Sequence, residues 1–295
     1  MKSNLKGHLL VLFCVLVWGV TFVSTKVLLQ LRTPVEIAFD RFVLAFVVLC
    51  ALHPKFKWQA WRTELQFFGL GLCGVTLYFL TENYALQFTQ ASNVGLLVSS
   101  APLLTAIFAH FITHEEQLSV RFAIGSFIAL LGVALVMFNG SVILQLNPLG
   151  DILALLAGAA WALYCLQLRK VGARFGYLYL TRQVFFYGLI TMLPALWFSH
   201  YRLDLSLWLT WQQGGNMLFL GLIASALCYV AWNKAVGLIG SVKASNYIYL
   251  IPIVTMATAV LVLGEKLTAV GLAGAALILF GVYFAEHGLK LPSSK

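Results

Sequence analysis

Charged side chains are scarce in this chain: they make up 10% of its 295 residues, against roughly a quarter in an ordinary soluble domain. Hydrophobic residues reach 61% and the mean hydropathy is +0.91. A soluble globular enzyme and a disordered chain are excluded together, because neither could cover or tolerate so much apolar surface in water. Cysteine is also sparse. Cys14, Cys50, Cys73, Cys165 and Cys228 are five, an odd number, each in an apolar run and with no CxxC pair. They read as small core hydrophobes, which leaves no disulfide framework and no metal site. Aspartate occurs only at Asp40, Asp151 and Asp204, with no aspartyl dyad; Asp151 reads as the N-cap of a helix. No phosphate-binding P-loop is present, so nucleotide hydrolysis has no seat and no cofactor is expected.

What the chain does have is long apolar runs. Ten of about 20 residues can be counted, over residues 8–29, 34–52, 66–86, 92–113, 121–139, 151–170, 178–198, 215–237, 243–263 and 268–286. The first, preceded by Lys2 and Lys6, lacks a small-residue cleavage site and reads as a retained span. The expected class is an all-α membrane protein of ten transmembrane helices. With the N-terminus in the cytoplasm, 13 of the 19 basic residues fall on the cytoplasmic side and three (Arg32, Arg202, Lys266) on the other. The remaining three, Lys26, Arg41 and Arg182, lie within spans. This bias predicts both termini inside, and the net charge of +9 becomes a topology signal that calls for no nucleic-acid partner.

The halves of the chain resemble each other. Trp18 and Lys26 match Trp161 and Arg169, and Arg41 matches Arg182. At an offset of 150, Asn83-Tyr84-Ala85 matches Asn233-Lys234-Ala235, and Pro102-x-x-Thr105 matches Pro252-x-x-Thr255. Glu116-Gln117-Leu118-Ser119 then resembles Glu265-Lys266-Leu267-Thr268. Five spans per unit is an odd number, so the second unit (141–295) is expected upside down relative to the first (1–140), an arrangement common in secondary transporters.

This ordered set of features resembles the drug/metabolite transporter superfamily, EamA-like family, over residues 8–286. Two departures stand out: His114-Glu115-Glu116 replaces the usual Gly-Glu in the first half, and Glu82 faces Trp232 with no acidic counterpart. The resemblance implies a helical bundle around a central cavity. It also implies export of small metabolites, often amino acids or their derivatives, across the cell (inner) membrane, by a monomer or homodimer embedded in lipid.

Intramembrane polar residues are functional candidates by default, since a charge at the bilayer centre costs roughly 2.5–3.5 kcal/mol on insertion scales. The cavity candidates are Trp18, Phe22, Lys26, Asn83, Trp161, Tyr164, Tyr229, Trp232, Asn233 and Tyr247. Their basis is helical spacing (Trp18 and Phe22, Tyr229 and Asn233 are four apart), depth within the spans, or repeat pairing. Glu82, a lone acid, is the candidate for proton coupling, as low dielectric penalises the ionised form of an acid. Glu36, Asp40, Arg41 and Arg182 read as structural charges locking spans to neighbours. Pro102 and Pro252 read as a pair of hinges.

The expected function is secondary transport of a small metabolite by alternating access, with an amino acid or other carboxylate-bearing compound favoured by the excess of basic over acidic groups inside the spans. A sugar-phosphate or nucleotide-sugar exchanger is the alternative within the superfamily, and a channel or lipid scramblase the alternative outside it. Two motifs are decoys. Gly69-x-Gly71-x-x-Gly74 fits a dinucleotide fingerprint but sits in an apolar run, where it reads as helix packing. His110 and His114, four apart, lack the glutamate of a zinc-protease helix.

Overall fold

The computed structural model describes residues 2–28, 32–88, 91–113, 119–138, 147–172, 174–199, 201, 210–263 and 268–287. The side chains of Phe22 and Lys26, and all of Glu115, Glu116 and Glu265, lie outside the described residues. Among those described, every apolar run is helical and there is no strand. In lipid this follows from the backbone, because a helix satisfies its own N–H and C=O groups where water cannot.

In chain order the helices are α1 (Lys2–Leu28), α2 (Pro34–Leu52), α3 (Trp61–Gly71), α4 (Tyr78–Phe88), α5 (Ala91–Val98), α6 (Ala101–Phe108) and α7 (Val120–Phe138). After these come α8 (Pro148–Gly172), α9 (Tyr177–Phe198), α10 (Trp211–Leu218), α11 (Cys228–Ile239), α12 (Ser241–Asn246), α13 (Ile251–Leu263) and α14 (Ala269–His287). Five stretches are individually long and apolar enough to cross a bilayer: Trp61–Ala85, Val94–Ile112, Val120–Met137, Pro148–Gly172 and Trp211–Ile239.

Two pairs of irregularities recur in matching places, while a further π segment, Ala109–Thr113, falls opposite regular helix in α13. A π-helical segment, Leu72–Leu77, joins α3 to α4, and another, Phe219–Leu227, joins α10 to α11. A turn at Ser99–Ser100 separates α5 from α6 just before Pro102, and a 3-10 segment, Tyr247–Leu250, separates α12 from α13 just before Pro252. Thr105 satisfies the Ala101 carbonyl of its own helix, whereas Thr255 reaches across to the Gly19 carbonyl of α1.

Helix starts follow local chemistry. Thr33 and Glu36 close a capping box on α2, with Pro34 at its first position. Glu36 is thus a cap and not an inter-helix lock. The start of α8 corrects the reading of Asp151. The helix begins three residues earlier, at Pro148, and the Asn147 side chain accepts the Gly150 N–H at 3.3 Å. Proline's preset φ favours the first helical turn and moves the cap upstream.

Association between membrane helices depends on close packing and hydrogen bonds, since lipid tails are as apolar as leucine. A Cβ on Gly132 would lie 2.6 Å from the Gly274 carbonyl, and one on Gly281 2.5 Å from the Ala129 nitrogen. Small residues therefore let α7 and α14 meet backbone to backbone. A Cβ on Gly71 would lie 2.6 Å from the Gly188 nitrogen, which makes the glycine-rich stretch of α3 a packing surface. The main core gathers α1, α2, α3, α4, α8, α9 and α11 around Phe42, Tyr164, Phe185, Tyr229 and Trp232. Large apolar side chains such as Phe127, Leu131, Leu279 and Tyr283 remain exposed on α7 and α14, as a lipid-facing surface requires.

Candidate functional site

Five of the aromatic candidates converge. Trp18 of α1 lies 5.5 Å from Trp161 of α8 and 5.0 Å from Trp232 of α11, measured between ring centroids. Tyr229 is 5.9 Å from Trp161 and 6.1 Å from Tyr164. Most pairs are edge-on or tilted, the arrangements favoured by ring quadrupoles. Trp161, Tyr164, Tyr229 and Trp232 are all buried. The structure adds Tyr78, 5.4 Å from Trp161, together with Phe42, Phe79 and Phe185. Two of these had a signal in the sequence: Tyr78 is one helical turn before Glu82, and Phe79 matches Tyr229 at the repeat offset of 150.

Two π segments supply acceptors to this cluster. A π turn departs from the i→i−4 ladder and often marks a functional position. The Gly74 carbonyl accepts the Tyr229 hydroxyl at 3.0 Å, and the Ala224 carbonyl accepts the Trp18 indole N–H at 2.9 Å. Gly74 and Ala224 are 150 residues apart, equivalent under the repeat, and each receives its donor from the other half. Trp161, the counterpart of Trp18, has a buried indole N–H with no hydrogen-bond partner among the described residues.

The two repeat-related asparagines bond across helices. Asn233 accepts from the Tyr164 hydroxyl at 2.6 Å and donates to the Thr181 hydroxyl at 2.8 Å. Asn83 donates to the Pro34 carbonyl at the start of α2, at 3.3 Å. Tyr247 is not part of the aromatic cluster. Its hydroxyl lies 2.8 Å from His8 Nδ1, near the start of α1.

The charges divide sharply. Asp40 faces Arg32 at 3.7 Å and accepts the Tyr201 hydroxyl at 2.6 Å, tying Tyr201, three residues beyond α9, to α2. Burial first, and then the bond to Asp40, push the Tyr201 hydroxyl above the ordinary phenol range, so it donates as a neutral group. Arg41, one residue on, points elsewhere. Its Nε donates to Ser225 in the second π segment at 2.8 Å, and its guanidinium lies 5.2 Å from the Phe79 ring centre. It is within electrostatic reach of Glu82, Tyr78 and Tyr229, but no ion pair joins it to Glu82 among the described residues. Glu82 instead accepts the Tyr78 hydroxyl at 3.2 Å. Arg182 is fully buried, donating to the carbonyls of His53 and Lys55, with its guanidinium 4.1 Å from the Phe56 ring centre. The described residues hold no cluster of three metal-ligating side chains.

Comparison with known proteins agrees with this architecture. The family model described as EamA-like transporter family matches twice, over residues 5–138 and 148–286. An uncharacterized transporter of Archaeoglobus fulgidus is 27% identical, covering 95% of this chain and 97% of its own. Proteins named probable amino-acid metabolite efflux pump, from Salmonella typhimurium and Escherichia coli, are 28% and 26% identical, each covering 97% of this chain and 96% of its own. A solved crystal structure superposes with a TM-score of 0.75 at 19% identity over 96% of both chains, which establishes likeness of fold. The chain therefore belongs to the EamA-like transporter family, and it is a multi-pass membrane transporter rather than an enzyme.

Proposed function

We propose that this protein is a secondary carrier that exports an amino acid, or a related compound bearing a carboxylate, across the cell (inner) membrane by alternating access. In this reading its ten spans form two inverted five-helix units, 1–140 and 141–295, with both termini in the cytoplasm. The double family match supports two units, as do the paired π segments and the paired breaks before Pro102 and Pro252.

The observation that carries the substrate class is the relation of Arg41 to Glu82. Arg41 spends one hydrogen bond, from Nε, on the protein, and both Nη groups carry none among the described residues. A cation and a carboxylate share one aromatic-walled region without pairing, which is complementary to a zwitterion. Arg41 receives the substrate carboxylate, and Glu82 faces the ammonium group and carries the coupling proton. The names of the two efflux pumps support the same class.

The π segments suit alternation. An inverted repeat reaches its second conformation when the halves exchange geometries. Trp18 now donates to Ala224; after the exchange Trp161 donates to Gly74. The hinges are Pro102 and Pro252, each preceded by a break, at Ser99–Ser100 and Tyr247–Leu250. Uptake of radiolabelled neutral amino acids into proteoliposomes tests the whole reading. Saturation, with acceleration by unlabelled amino acid on the opposite side, is expected. Linear uptake without exchange would identify a channel and defeat the carrier.

A further inference from the structure

The connection between α2 and α3, residues 53–60, is neither helix nor strand, yet its backbone is tied down at four points. Arg182 donates to the His53 and Lys55 carbonyls, and Tyr179 donates to the Lys57 carbonyl at 2.8 Å. Glu64 accepts the Gln59 N–H at 2.6 Å. An irregular segment held in this way presents its side chains in a fixed pattern.

That pattern interleaves aromatic rings with cations. Lys55, Phe56, Lys57 and Trp58 are exposed in succession, and Trp61, Arg62 and Leu65 carry the patch into the first turns of α3. Trp58 is 72% exposed and Trp61 70%, which would leave two large apolar surfaces in water. The one acid of the stretch, Glu64, is already engaged, since its second oxygen accepts the Tyr187 hydroxyl at 2.7 Å. Neither Lys55, Lys57 nor Arg62 is in an ion pair among the described residues. The Arg62 guanidinium lies 5.6 Å from the Trp61 ring centre, a contact that leaves its charge uncancelled. Arg182, buried against the Phe56 ring, adds positive charge from beneath.

The far end of the bundle differs. Trp197, Phe198 and Trp211 are exposed there too, but among the described side chains the cation at that end, Arg32, is buried and paired with Asp40. Tryptophan marks the headgroup level of a bilayer, and basic residues at that level attract anionic lipid.

We propose that residues 55–65 form a docking face for anionic phospholipid headgroups, with Trp58 and Trp61 seated among the lipids and Lys55, Lys57 and Arg62 on their phosphates. Which leaflet it faces rests on the orientation proposed above; the binding itself does not depend on transport.

The test titrates phosphatidylglycerol and, separately, phosphatidylcholine into the full chain in a neutral detergent, with bound lipid counted by native mass spectrometry. Each basic residue near an anionic surface contributes about fivefold, so three should favour phosphatidylglycerol about a hundredfold at low salt. Added salt should shrink that preference. Lys55→Gln, Lys57→Gln and Arg62→Gln combined should remove most of it and leave phosphatidylcholine binding unchanged. The charge-matched control combines Lys170→Gln, Arg174→Gln and Lys243→Gln, three exposed cations at the same end of the bundle, and should keep the preference. A thermal midpoint equal to wild type, measured without added lipid, verifies the fold of both variants. Should the first lose its midpoint, Lys57→Gln alone carries the same test, with an expected loss of about fivefold. The proposal is overturned by equal binding of the two lipids to wild type, by a preference that survives in the patch variant, or by one that the control loses as fully. None of these outcomes touches the amino-acid exchange assay, so the docking face and the carrier can fail separately.

Discussion

Arg41 and Arg182 occupy matching positions near the starts of α2 and α9, yet they do different work. Arg182, fully buried, straps the connection after α2, through the His53 and Lys55 carbonyls and the Phe56 ring. Tyr179 adds a hydrogen bond to the Lys57 carbonyl at 2.8 Å. Its repeat mate Arg41 is directed into the aromatic region, and the strap at that end is made by the preceding residue, Asp40, through Tyr201 and Arg32. The equivalent of Asp40 is Thr181, which points inward to Asn233. Neighbours on a helix point about 100° apart, so one half strapped with the first residue of the pair and the other with the second. Sequence symmetry preserved the arginine; the choice of strap decided which arginine faces the aromatic region.

Substitutions can break or sharpen this contrast, and the largest effect is expected at Arg182. Arg182→Leu leaves two carbonyls without their charged donor and should cost about 3 kcal/mol. The readouts are a lower thermal midpoint and faster tryptic cleavage at Lys55 and Lys57. Arg41→Lys keeps the charge but not the planar fork. It should lower kcat/KM for a carboxylate-bearing substrate about ten- to hundredfold, with a nearly unchanged midpoint. If Arg41→Lys unfolded the protein as readily as Arg182→Leu, and its folded fraction transported normally, the contrast would be gone.

Glu82→Gln comes next. It should flatten the pH dependence of transport and lower the rate about tenfold, the scale of one charge-assisted contact; an unchanged pH profile removes Glu82 from coupling. The smallest effect belongs to Ser225→Ala, which deletes the one hydrogen bond that Arg41 makes among the described residues. Interhelical bonds of this kind are worth about 0.6–2 kcal/mol in membranes. A midpoint shift on that scale, with transport changed only a few-fold, would separate holding Arg41 from using it.

Much of the fold could be read from the chain because lipid imposes few solutions. The run at 34–52 and the helix Pro34–Leu52 coincide, since Thr33, Pro34 and Glu36 form a start signal that needs no tertiary context. Asn147 and Asp151 are both good cap residues, and the position of Pro148 chooses Asn147. The π segments left no mark, as an apolar run has the same composition whether its turns hold 3.6 or more residues. Trp18, Trp161, Tyr164, Tyr229 and Trp232 gather in one aromatic cluster, whereas the 3-10 segment from Tyr247 to Leu250 carries Tyr247 to His8 instead.

Scarcity of charge, ten apolar runs and a repeated order of polar residues determined that this chain is a helical membrane protein and pointed to its family, because hydropathy and backbone satisfaction act locally along the chain. Which of the rare charges pair, which turn inward and which carbonyls receive them was decided by tertiary structure alone. Those outcomes depend on the angle at which one helix meets another, and a 100° step between adjacent residues is enough to send Asp40 to a strap and Arg41 to the aromatic region.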